Sequence, residues 1–87
     1  MTLEEINTAI SDLSLKVLEA RKYQNEEQLK EFALLKSDVY KLCAEREILR
    51  GGAEIEFFNW VASFWKKVAE DGEFKGSLEN HPKNVYL

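Results

Sequence analysis

The chain has 87 residues, 16 of them acidic and 12 basic, for a formal net charge of −4. That length points to one domain, 1–87, able to bury roughly 60–65% of its unfolded surface. A single cysteine, Cys43, excludes an internal disulfide, and the single histidine, His81, is too remote from it to make a zinc-ligand pattern. The bases form no stripe that could track phosphates, which disfavours direct nucleic-acid binding.

The opening MTLEEIN lacks the cationic and apolar regions of a signal peptide. No apolar run reaches the ~20 residues that span a bilayer. The expectation is a cytoplasmic protein with a reduced thiol. Thr2 and Glu5 have capping-box spacing and start a helix over 2–23. Leu3, Ile6, Ile10, Leu13, Val17 and Ala20 follow at alternating steps of three and four, a heptad seam.

The same spacing recurs at Phe32, Leu35, Val39, Leu42, Arg46 and Leu49, but out of phase with the first seam. Asn25 can cap a second helix over 26–49, with Gln28 at its third position. A turn near residues 23–25 then makes an antiparallel hairpin. One long helix, bent at the phase shift, is the rival. Gly51-Gly52 ends the second helix, since glycine tolerates the left-handed conformation of a C-cap.

A third helix is expected over 53–70. Glu54 and Glu56 stand near its start and Lys66 and Lys67 near its end, the signs its dipole favours. On a helical wheel, Ile55, Phe58, Ala62, Trp65 and Ala69 make one apolar face. Phe57, Trp60, Val61, Phe64 and Val68 make a neighbouring one. An ordinary surface helix has a single apolar stripe, so this helix calls for two covering surfaces, of which the hairpin supplies one. From Gly72 onward come two glycines, Gly72 and Gly76, and the only proline, Pro82, an irregular tail over 71–87.

The expected fold is all-α: an antiparallel helical hairpin, a third aromatic-rich helix and the tail. No catalytic or metal-binding motif is present, and no cofactor is implied. Cys43 falls on an apolar arc, where a thiol is inert. Arg46 occupies a seam position. Either it pairs with Glu4 or Glu5 on the first helix, or it meets a partner or an anionic ligand.

The functional expectation is therefore a non-enzymatic protein–protein interaction module. It would homo-oligomerise through its helical seams and through Phe57, Trp60, Val61, Phe64 and Val68, an aromatic set of the kind enriched at interface centres. The alternatives are a phage-type inhibitor or regulator that docks on a host protein, by analogy of size and composition alone, and a sequestrator holding a small anion between subunits. Membrane contact is disfavoured, because two lysines beside acids make a weak in-plane helix.

Overall fold

The computed structural model describes residues 1–71, which form three helices: α1 (Leu3–Ala20), α2 (Glu26–Arg50) and α3 (Ile55–Asp71). The rest of the expected tail, with His81, lies outside the described residues. The first cap is as expected. The Thr2 hydroxyl accepts from the Glu5 N–H, and the Thr2 N–H donates to the Glu5 carboxylate, both at 3.1 Å. These bonds to its ionised form hold the Glu5 carboxyl below its ordinary pKa, the Thr2 backbone amide contributing most.

α1 stops at Ala20, three residues short of the expected end, and residues 21–25 turn the chain. Asn25 caps α2 by accepting from the Gln28 N–H at 2.8 Å. The reciprocal bond reaches one residue further back than the capping-box pattern implies: Gln24 N–H donates to the Gln28 side chain at 2.8 Å. The hairpin thus prevails over the single long helix. Its antiparallel sense is visible in the pairs it brings together, Arg46 with Asn7 near one end and Val17 with Phe32 and Val39 towards the other.

At the far end of α2, Gly51 adopts φ +68°, the left-handed conformation. Its N–H donates to the Ile48 carbonyl at 3.4 Å, and the Gly52 N–H donates to the Glu47 carbonyl at 2.8 Å. This is a Schellman termination. Here Gly51 is required by its backbone, because a β-carbon in that conformation costs about 1–2 kcal/mol.

α2 is the middle of the molecule: α1 and α3 each pack on it and not on each other. The heptad seam of α2, through Val39 and Arg46, faces α1. A second set, Ala33, Ser37, Tyr40 and Ala44, is buried on the side that receives α3. Ala33 and Ser37 are almost wholly enclosed, and they let the two backbones approach closely. The Ser37 hydroxyl spans the gap and donates to the Ala62 carbonyl at 2.9 Å.

This corrects the expectation for the third helix. Among the described residues, the helix packed on two sides is α2. α3 buries one continuous stripe, Phe58, Val61, Ala62, Trp65, Val68 and Ala69, with the i, i+3, i+4, i+7 spacing of an ordinary amphipathic helix. The two faces read from the wheel are therefore cut differently by packing. Val61 and Val68, each 2% exposed, belong to the internal stripe.

Candidate functional site

The aromatic residues form a connected row. Tyr23 meets Phe32 at 5.5 Å between ring centroids, and Phe32 meets Trp65 edge-on at 5.5 Å. Trp65 meets Phe64 edge-on at 5.7 Å, and Phe64 stacks on Trp60 at 5.8 Å. The row runs from the α1–α2 turn, through the α2–α3 core, to the outer side of α3. Such offset and edge contacts add about 0.5–1.5 kcal/mol per pair beyond the area they bury. Trp60, 41% exposed, is thus held in place by a ring whose own neighbour, Trp65, is core.

Of the residues singled out in the sequence, Phe57 and Phe64 are half-buried and Trp60 is exposed, while Val61 and Val68 point inward. Arg46 stands apart from them, on the α1 side of α2. It reaches the first turns of α1 as expected, but its partner there is neutral: an Nη1 proton goes to the Asn7 side-chain oxygen at 3.2 Å. The described residues contain no ion pair between Arg46 and Glu4 or Glu5. Asn7 lies three residues beyond Glu4 and two beyond Glu5, so the register of the hairpin decides the partner.

Two polar features were not legible from spacing. Glu47 is 3% exposed, and its carboxylate accepts from Arg50 Nε at 2.8 Å and from Arg50 Nη2. The same carboxylate occupies the space above Gly52, where an added β-carbon would lie 1.8 Å from Oε2. Lys36 is the other. Its ammonium sits 5.4 Å from the Tyr40 ring, 5.6 Å from Trp65 and 6.0 Å from Phe32, within cation–π range of all three. Burial and then the nearby Arg21 charge lower its pKa.

Large apolar side chains also gather at the open end of the hairpin. Met1, Ile6, Ile48 and Leu49, with Glu45, line a recess of about 290 Å³. Met1, Ile48 and Leu49 are each more than half exposed. Single exposed apolar residues are ordinary, but these three stand together around one recess. Cys43 is 7% exposed, and burial raises its thiol pKa, so it has the properties of a packed thiol and not of a nucleophile. Among the described residues no cluster of His, Cys, Asp and Glu could hold a metal ion, and no helix is long and apolar enough to cross a membrane. Comparison with protein-family models, with curated proteins and with solved structures found no match.

Proposed function

We propose that the protein is a non-enzymatic interaction module that associates with copies of itself. The observation that carries this reading is the apolar recess at the open end of the hairpin, whose rim residues Met1, Ile48 and Leu49 stay exposed although the chain has a core in which to bury them. The Trp60–Phe64 stack on α3 offers a second, ordered aromatic contact. A stable interface needs roughly 800 Å² from each partner, more than one recess supplies, so both surfaces take part.

Light scattering across micromolar to millimolar concentration tests this. The native chain should have the mass of an oligomer. Ile48→Ser/Leu49→Ser changes two exposed side chains and should lower that mass with helicity retained. A monomeric native chain overturns the reading. So does an oligomer that is indifferent both to this variant and to Trp60→Ser. A native chain that remains monomeric yet retains one stoichiometric partner protein would favour docking on a different protein.

A further inference from the structure

Beside the aromatic cage of Lys36 lies a groove of about 400 Å³ between α1 and α2. That volume is in the range of small-molecule sites. Val17, Leu18 and Val39 form its apolar walls, and Lys36, Arg21 and Ser14 supply its polar groups. Among the described residues its lining has two cations and no carboxylate, in a chain whose acids outnumber its bases 16 to 12. No described carboxylate pairs with Lys36 or Arg21. The local field therefore has the opposite sign to that of the whole chain, and low-dielectric walls concentrate it.

We propose that this groove binds a small amphiphilic monoanion, its carboxylate between Lys36 and Arg21 and its aliphatic body along Val17, Leu18 and Val39. The two cations suit one carboxylate well. Arg21, exposed at the mouth, offers a planar fork that matches two carboxylate oxygens, and Lys36 offers a point charge from the floor. Ser14 can donate a third hydrogen bond. The rings beneath Lys36 stabilise its charge only in part, since burial and Arg21 still lower its pKa. An anion in the groove offsets both effects. This site is separate from the recess and from the Trp60 stack, and it is complete within one chain.

Calorimetric titration of the full chain with sodium decanoate, below its micelle concentration, tests the site. The expected result is saturable binding of one decanoate per chain. Decanol and decyltrimethylammonium should bind at least ten-fold more weakly, and acetate should not bind detectably. Lys36→Gln should lower decanoate affinity by about ten-fold or more, equivalent to about 1.4 kcal/mol. Arg21→Gln, a change at an exposed position, should lower it by a smaller factor and serves as the readout if Lys36→Gln loses helicity. Absence of saturable binding overturns the proposal. So does equal binding of decanol, or decanoate affinity unchanged in a folded Lys36→Gln or in Arg21→Gln.

Discussion

Gly51 and Gly52 are neighbours with different reasons to be glycine, and alanine at each should reveal which is which. At Gly51 the backbone is left-handed, φ +68°, and a β-carbon would meet nothing within 4 Å. Gly51→Ala should therefore cost about 1–2 kcal/mol from backbone conformation alone. At Gly52 no left-handed angle is involved. Instead an added β-carbon would lie 1.8 Å from Glu47 Oε2 and 2.6 Å from Cδ, where ordinary contact begins at 3.4 Å. The carboxylate must move, and Glu47 is buried and held by Arg50. Disturbing a charged hydrogen bond to a buried group costs about 1.5–3 kcal/mol. Half the Arg50 side chain is exposed, which places the cost towards the lower figure. In a domain of this size each kcal/mol lowers Tm by about 4–8 °C. The assay is chemical and thermal unfolding followed by circular dichroism, in native and Glu47→Ala backgrounds. Gly52→Ala should lose most of its cost once Glu47 is alanine, a coupling well above the ~0.3–0.5 kcal/mol scatter of independent sites. Gly51→Ala should cost the same in both. If Gly52→Ala is equally costly in the two backgrounds, the clash with Glu47 is not why glycine stands there.

Three further outcomes follow from the packing. Ser37→Ala should cost about 1 kcal/mol through the lost bond to the Ala62 carbonyl. Ser37→Leu should cost more, because the added volume must fit a side chain only 1% exposed, and denaturant midpoints will rank them. Trp65→Ala should cost about 3–5 kcal/mol, as truncation of a core aromatic does, whereas Trp60→Ser at a 41% exposed position should cost far less. Equal destabilisation would refute the division of α3 into an inner stripe and an outer ring. Cys43 should react with a disulfide reagent only on the timescale of unfolding. Because burial raises its folded pKa above the ordinary 9.0, the unfolded chain ionises first as pH rises. Its contribution is full below that value and is lost above it, so Cys43→Ala should flatten the alkaline fall in stability.

The local signals were legible because each is decided within a few residues. Thr2 with Glu5, Asn25 with Gln28, and Gly51 all act at helix ends through hydrogen bonds to nearby backbone, and they located α1, α2 and the break before α3. The heptad seams were legible for a related reason: Val39 and Arg46 repeat at the period of a helix face, and that face does meet α1. What could not be read was which helix lies in the middle. That depends on contacts between residues far apart in sequence, and the side of α2 facing α3 is built from Ala33, Ser37 and Ala44. Such residues add little to an apolar periodicity, so the α3 side of α2 does not stand out in the sequence. Small residues at positions 33, 37 and 44 do share one helical face, and that spacing was the available signal.

The central position of α2 also decides how α3 is buried. On the helical wheel, Val61 and Val68 fall with Trp60 in a second apolar face. Small residues on α2 instead let α3 sink closely enough for the Ser37 hydroxyl to reach its backbone. A helix that approaches so closely buries a wider arc than one standing off on large side chains, and the arc extends to Val61 and Val68. The aromatic excess of α3 then reduces to Phe57, Trp60 and Phe64 at the edge of the arc, with Trp60 outermost. The same placement of α2 creates the groove. Because α1 and α3 pack on α2 but not on each other, Lys36 lies between them, close to Trp65 of α3 and beside Val17 and Leu18 of α1. Had α1 and α3 closed into a three-way bundle, a lysine there would have been sealed in a core without a counter-charge. The open arrangement is what lets a cation at the middle of this sequence keep access to an anion from outside.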